Sequence, residues 1–272
     1  MSASPSPGPL TGGYLSPAAP RVLAHRGLAT AAPENTMLAF VMALAHGVTH
    51  IETDVHASRD RVAVISHDPD LARLTGRSER IGDLTMGELA AIDLGEGQSF
   101  VSLAEAIDAF PDARFNIDIK SDDAVKPAVD AVQATRSSGR VLITSFSGAR
   151  RRAAVKLLPS VATSASSTQF ALAFSAALVG AAPLARWMLR DVHAVQIPET
   201  VRGIRIVTPR IIRIMHSAVQ EVHVWTVNDV ADMHRLLDLG IDGLVTDRAD
   251  LAMQVLLERS QRGLPPRHPR TR

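Results

Sequence analysis

The stretch His50-Ile51-Glu52-Thr53-Asp54-Val55-His56 reads as a β-strand with two unlike faces. Residues two apart in an extended chain share a face, so Glu52 and Asp54 point one way while Ile51, Thr53 and Val55 point the other. The second face suits contact with helices, which leaves two carboxylates aimed inward. This strand is one of a series. Extended runs are expected at Arg21–Ala24, His50–His56, Arg114–Lys120, Val141–Phe146, Val161–Ser166, Ala194–Pro198, Val222–Val227 and Gly243–Thr246. A further run, Val62–His67, follows the second so closely that a small hairpin is expected there. Helical spacing fills most gaps: Met37, Phe40, Val41 and Leu44 behind a cap near Asn35 or Thr36, then Leu103–Phe110, Ala124–Thr135 and Val230–Leu239. Strand–helix alternation implies parallel strands, and eight units favour a closed (β/α)8 barrel over an open doubly wound sheet.

Composition sets the bounds. The chain has 272 residues, 46% of them hydrophobic, and no internal linker, which fits one large domain with a substantial core. Its formal net charge of +1 gives no argument for a nucleic-acid partner. The absence of cysteine excludes disulfides, thiol catalysis and zinc–thiolate sites. Residues 1–20 carry neither charge nor a continuous apolar core, so they read as a disordered Pro/Ser/Gly arm rather than an export signal, and a cytoplasmic location is expected. The expected barrel spans residues 21–258. From Arg259 onward five arginines and three prolines read as a solvated basic tail, with an anionic surface contact as the lesser alternative.

The inward carboxylates carry the chemistry. Buried charges of like sign need a cation, either a metal ion or a nearby Arg or Lys in a plain salt bridge. Asn116-Ile117-Asp118-Ile119-Lys120 repeats the alternation with one acid and one base on a shared face. Three inward acids (Glu52, Asp54, Asp118) against one inward lysine leave negative charge over, which tips the reading toward a metal. Hard oxygen donors point to Mg²⁺ or Ca²⁺. His25 and His67 each stand where an extended run ends, the end at which barrel active sites gather, and two histidines in reach of one phosphodiester can act as general acid and base. Arg26 is suited to bidentate phosphate binding.

In combination, His25-Arg26-Gly27, Pro33-Glu34-Asn35-Thr36, Glu52-Thr53-Asp54-Val55, His67-Asp68, Asp118-Ile119-Lys120, Val224-Trp225-Thr226-Val227-Asn228 and Gly240–Asp247 resemble the signature of the glycerophosphodiester phosphodiesterase family. The resemblance covers about residues 21–258. It implies a TIM-type barrel with a small insertion after the second strand, and metal-dependent hydrolysis of glycerophosphodiesters to glycerol 3-phosphate and an alcohol through a cyclic phosphate. By the same resemblance Glu52, Asp54 and Asp118 would bind the divalent cation, His25 and His67 would be the acid–base pair, and Arg26 and Lys120 would hold the phosphate. Trp225 would wall the glycerol pocket, with Glu34 and Asn228 in support. Two departures stand out: Asp118 replaces the usual Glu, and the hairpin turn reads Asp60-Arg61 where the family commonly has Asp-Gly.

Phe170–Leu184 is uncharged over fifteen residues, too short to span a bilayer and interrupted by Pro183. It reads as an ordinary barrel helix or as an apolar rim beside the active site, the latter demanding exposed phenyl rings at the mouth. The rival functions are a lysophospholipase D-like or sphingomyelinase D-like phosphodiesterase acting on lipid-tailed substrates and a non-catalytic phosphate-binding barrel; a metal-dependent amidohydrolase barrel is set aside because His25 is followed by Arg26 and Gly27 and not by a second metal-binding histidine.

Overall fold

The computed structural model describes residues 13–264. The expectations for residues 1–12 and 265–272 lie outside the described residues. Eight parallel strands form the barrel: β1 (Arg21–His25), β2 (His50–Ala57), β3 (Arg114–Ile119), β4 (Val141–Thr144), β5 (Ala162–Thr163), β6 (Ala194–Pro198), β7 (Glu221–Trp225) and β8 (Gly243–Thr246). They are ordered β5-β4-β3-β2-β1-β8-β7-β6, and a parallel bridge between Ser164 and Ala194 joins the two ends into a ring. The first and last strands are therefore neighbours, with Ala24 opposite Thr246.

The surrounding helices are α1 (Met37–Ala45), α2 (Leu103–Ala109), α3 (Val125–Ala134), α4 (Gly148–Leu157), α5 (Ser167–Leu178), α6 (Ala182–Met188), α7 (Pro209–His216), α8 (Val230–Asp238) and α9 (Ala249–Gln261). Thr36 rather than Asn35 caps α1, accepting the Ala39 amide at 3.3 Å. Ile51, Val55, Ile117 and Ile119 are fully buried in the core that includes helix residues Phe40, Ile107 and Val129. Burying each such side chain contributes roughly 1.5–3 kcal/mol. β4 stops short of Phe146 because Ser145 donates its hydroxyl to the Ile119 carbonyl and Ser147 caps α4.

The insertion after β2 begins with the expected hairpin, Ala63–Ile65 pairing antiparallel to Val55–Ala57. It then builds a small core of its own from Val64, Leu71, Ile81, Leu89, Ile92 and Phe100. Arg61 takes the positive φ, 65°, that a glycine would otherwise supply. The turn is held by Ser58, whose hydroxyl donates to Asp60 at 2.6 Å and accepts from the Val62 amide at 2.9 Å.

Two expected boundaries shift. Gly13–Leu15 forms a 3-10 turn whose Tyr14 is 1% exposed, so residues 13–20 belong to the folded body and not to an arm. Tyr14 stacks edge-on against His50 at 5.1 Å, beside the buried Arg21–Glu221 pair that closes the N-terminal end of the barrel. At the other end, α9 runs past Glu258 to Gln261, because Arg259 is anchored to Asp238 at 2.8 Å. The apolar stretch Phe170–Leu184 is not one helix; it breaks at Gly180, φ 78°, between α5 and α6. Among the described residues no helix is long and apolar enough to cross a membrane.

Candidate active site

Strand register assembles one side of the site. His25 is opposite Glu52, Glu52 is opposite Asn116, and Asp54 is opposite Asp118. Parallel neighbours in register present the same face, so the inward acids of β2 meet those of β3. Lys120, just past β3, places its ammonium 2.7 Å from both Asp54 Oδ1 and Asp118 Oδ2. Arg26 Nε stands 3.3 Å from Asp54 Oδ2, and Asn35 Nδ2 donates to the same oxygen at 3.2 Å. Burial alone would raise the Asp54 pKa, but Lys120 and Arg26 outweigh it and hold the group below its usual range. Asp118 is raised, chiefly by burial. Glu52 is pushed well above the ordinary carboxylate range, first by burial and then by the charge of Asp54.

The three expected metal ligands thus gather, yet among the described residues no group of three or more His, Asp or Glu side chains is spaced to hold a metal ion. Lys120 lies between Asp54 and Asp118 and is their counter-cation here. Acceptor capacity is nonetheless left over. Asp118 Oδ1 and Asn116 Oδ1 are buried without a hydrogen-bond partner, and Glu52 is disfavoured as an anion by burial first and then by Asp54. Surplus hard oxygens of this kind fit a divalent cation.

Both histidines line the same pocket, and each has a carboxylate on Nδ1. His25 Nδ1 is 2.6 Å from Asp247 Oδ1, and His67 Nδ1 is 2.7 Å from Asp68 Oδ1. A carboxylate on Nδ1 selects the Nδ1–H tautomer and leaves Nε2 free for proton transfer. Asp247 is held in turn by Asn228 Nδ2 at 2.8 Å, while Asn228 Oδ1 accepts from the Asp247 amide at 2.9 Å. Burial alone would lower the His25 pKa, but the Asp247 hydrogen bond and the Glu52 charge together raise it.

Arg26 adopts a left-handed backbone, φ 58°, with its amide donating to the Glu52 carbonyl at 2.9 Å. The next residue, Gly27, has φ 85° and lies against α1, where an added Cβ would come within 2.7 Å of the Ala39 backbone. Glu34 is more than a helix-start carboxylate. It accepts from Arg26 Nη1 at 3.0 Å and from two nitrogens of Arg73, at 3.1 and 2.5 Å. Arg73 also donates Nε to Asp68 at 2.5 Å. One chain of charged contacts therefore runs Arg26–Glu34–Arg73–Asp68–His67.

The other half of the pocket is uncharged, with Thr144, Ser145, Ser166, Ser167, Gln196 and Thr226 beside its apolar side chains. Trp225 ends β7, Phe146 follows β4, Phe170 belongs to α5, Pro198 ends β6, and Val201 lies in a small hairpin of Thr200–Val201 against Ile204–Arg205. The Trp225 and Phe146 rings are 6.2 Å apart, and the Lys120 ammonium is 5.8 Å from the Phe146 ring centre. The whole cavity is about 400 Å³. Of the apolar segment, Phe170 reaches this mouth; Phe174 packs on the barrel core with its ring 5.7 Å from Phe170. Residue-level reading missed Asp247, Arg73, Asn116 and Phe146. Asp247 directly follows an expected strand end, a signal that was available, but nothing local ties it to His25.

The family model described as "Glycerophosphoryl diester phosphodiesterase family" matches residues 25–251. The chain is 42% identical over 241 residues to "Probable glycerophosphodiester phosphodiesterase 2" of Mycobacterium tuberculosis, covering 88% of this chain and 91% of that one. A solved glycerophosphodiester phosphodiesterase of Agrobacterium tumefaciens aligns with a TM-score of 0.71 at 26% identity, covering 87% of this chain and 99% of that one. An Oleispira antarctica phosphodiesterase, solved with its product sn-glycerol-3-phosphate, shares the fold at a TM-score of 0.73 and 22% identity, covering 88% and 97% of the two chains.

Proposed function

Because this chain belongs to the glycerophosphoryl diester phosphodiesterase family and is an enzyme of the phosphoric diester hydrolase class, we propose that it hydrolyses glycerophosphodiesters to glycerol 3-phosphate and an alcohol, with His25 and His67 as the acid–base pair. The observation that carries this reading is the matched pair of dyads, His25–Asp247 and His67–Asp68, on one pocket. No further side chain is needed as nucleophile. One histidine removes the proton of the glycerol 2-hydroxyl; its oxygen forms the new bond to phosphorus as the bond to the leaving alcohol breaks. The other histidine protonates that alcohol. Water then opens the five-membered cyclic phosphate with the two roles exchanged.

Arg26, held by Glu34, and Lys120 offer positive charge to the phosphoryl oxygens. Glu52, Asp54 and Asp118 would hold Mg²⁺ or Ca²⁺; the unpartnered Asp118 Oδ1 and the disfavoured Glu52 anion support this. Such an ion supplies Lewis-acid stabilisation of charge on the phosphoryl group.

The test is glycerol 3-phosphate release from glycerophosphocholine and glycerophosphoethanolamine, with Mg²⁺, Ca²⁺ or EDTA. Release that EDTA abolishes, and that His25→Ala and His67→Ala each reduce by at least about 10³-fold, is the expected result. Turnover that survives both substitutions would sink the acid–base assignment. Cation binding has its own readout: Mg²⁺ or Ca²⁺ is expected to raise the melting temperature of the wild-type protein and not that of Glu52→Gln.

A further inference from the structure

Charge is unevenly spread along this chain. Residues 131–220 hold twelve arginines and lysines and only two acids, Asp191 and Glu199, whereas the whole chain has 29 basic and 28 acidic residues. Both acids are taken: Asp191 pairs with Arg151 at 2.6 Å, and Glu199 with Arg235 at 2.7 Å. The stretch forms one flank of the barrel, β4 to β6 with α4 to α7 outside them. Exposed apolar side chains gather on the same flank. Of the thirteen large hydrophobic side chains exposed among the described residues, nine belong to the run from Phe146 to Ile204. We propose that this flank docks the protein on the surface of an anionic phospholipid bilayer. The proposal concerns where the protein sits and is independent of what it cleaves.

The patch centres on the turn between α5 and α6. Leu178 ends α5 and Val179, 79% exposed, follows it; Gly180 then turns the chain at a φ of 78°. Leu184 and Trp187, three apart on one face of α6, are both exposed, the indole by 59%. Arginines frame these side chains. The Arg210 guanidinium of α7 reaches the turn, 3.2 Å from where a Cβ on Gly180 would stand. Arg190 stacks over the Trp187 ring at 4.4 Å, and Arg186 is exposed beside it in the chain. The flank's two carboxylates are engaged by Arg151, Arg205 and Arg235, so Arg186, Arg190 and Arg210 have no carboxylate partner among the described residues. Charge and apolar surface together choose the occupant. Pairing of two copies through this face would set the same arginines on both sides of the contact. A nucleic acid offers phosphates but nothing to cover Leu178, Val179 and Leu184. An anionic bilayer offers phosphates to the guanidinium groups, an interfacial level for Trp187 and apolar depth for the aliphatic side chains.

The test is co-sedimentation of the full chain with vesicles of phosphatidylcholine alone, or of phosphatidylcholine and phosphatidylglycerol in equal parts, in low and in high salt. The expected result is binding to the mixed vesicles that salt weakens, and little to phosphatidylcholine. Arg186→Gln and Arg210→Gln are each expected to weaken that binding about fivefold, and Trp187→Ser about tenfold. All three side chains are exposed, so each variant should melt within a few degrees of wild type. Undiminished binding by all three variants would place the contact elsewhere and overturn the proposal. Equal binding to both kinds of vesicle, or binding to neither, would overturn it as well. A dimer in sedimentation equilibrium that Trp187→Ser dissociates would overturn it in favour of a contact between copies.

Discussion

Asp247 Oδ1 lies 2.6 Å from His25 Nδ1, across 222 residues of chain. The contact exists because β8, which ends just before Asp247, closes the barrel beside β1, which ends at His25. It fixes which imidazole nitrogen carries the proton and turns Nε2 toward Glu52 Oε2, 3.9 Å away.

Asp247→Asn keeps the shape but offers His25 an amide in place of a charge. The ring is then free to take the wrong tautomer. A fall in kcat of about 10²–10⁴-fold with KM changed only a few-fold is the expected outcome in steady-state kinetics. A kcat within about threefold of wild type would show that Asp247 does not orient the histidine.

Arg73 joins Glu34 to Asp68 and so links the phosphate-facing Arg26 to His67. Lysine has one ammonium in place of the planar fork and cannot reproduce the three contacts that Arg73 makes through Nε, Nη1 and Nη2. Arg73→Lys should lower kcat about tenfold while the folded protein melts within a few degrees of wild type. Equal losses of stability and activity would instead mark Arg73 as a packing residue of the insertion.

Glu221 gives a pH signature far from the active site. Burial would raise its pKa, but hydrogen bonds from His223 and Arg21 outweigh it and bring the carboxyl to about 2. The folded value is below the unfolded one of about 4.3. Its contribution to stability is therefore fully present above about pH 4 and is lost as pH falls through about 2. The shift corresponds to about 3 kcal/mol. Glu221→Gln should be less stable than wild type by that order in urea unfolding at neutral pH, and the gap should narrow steadily between about pH 4 and pH 2. A gap that does not change with pH would show that the carboxylate charge is not the stabilising element.

Gly27→Ala puts a methyl group into the Ala39 backbone at a φ of 85°. The strain and the overlap together should cost at least about 2 kcal/mol. Because Arg26 is the preceding residue, the variant should also raise KM. Unfolding and kinetic measurements on the same preparation check both, and an unchanged melting temperature would contradict the close approach.

Much of this was legible along the chain. The alternation in Ile51–Val55 and Asn116–Lys120 is enough to put Glu52, Asp54, Asp118 and Lys120 on inward faces, because a strand's period of two is a local property. The strand-end positions of His25 and His67, and the hairpin at Ala63–Ile65, were open to reading for the same reason. The inward faces alone left open whether the acids of β2 met a metal or a lysine. Register shows that the lysine is there in either case: Asp54 opposite Asp118 brings both within 2.7 Å of Lys120. Tyr14, read as part of an arm, is buried because the barrel floor, built by residues as distant as Glu221, offers it a partner in His50. The pairing of His25 with Asp247, the bridge through Arg73 and the apolar wall from Phe146 to Val201 likewise join segments that carry no local mark of one another. Periodicity and end signals determined the elements and their faces; ring closure and strand register, which act between residues far apart in the chain, decided which side chains meet.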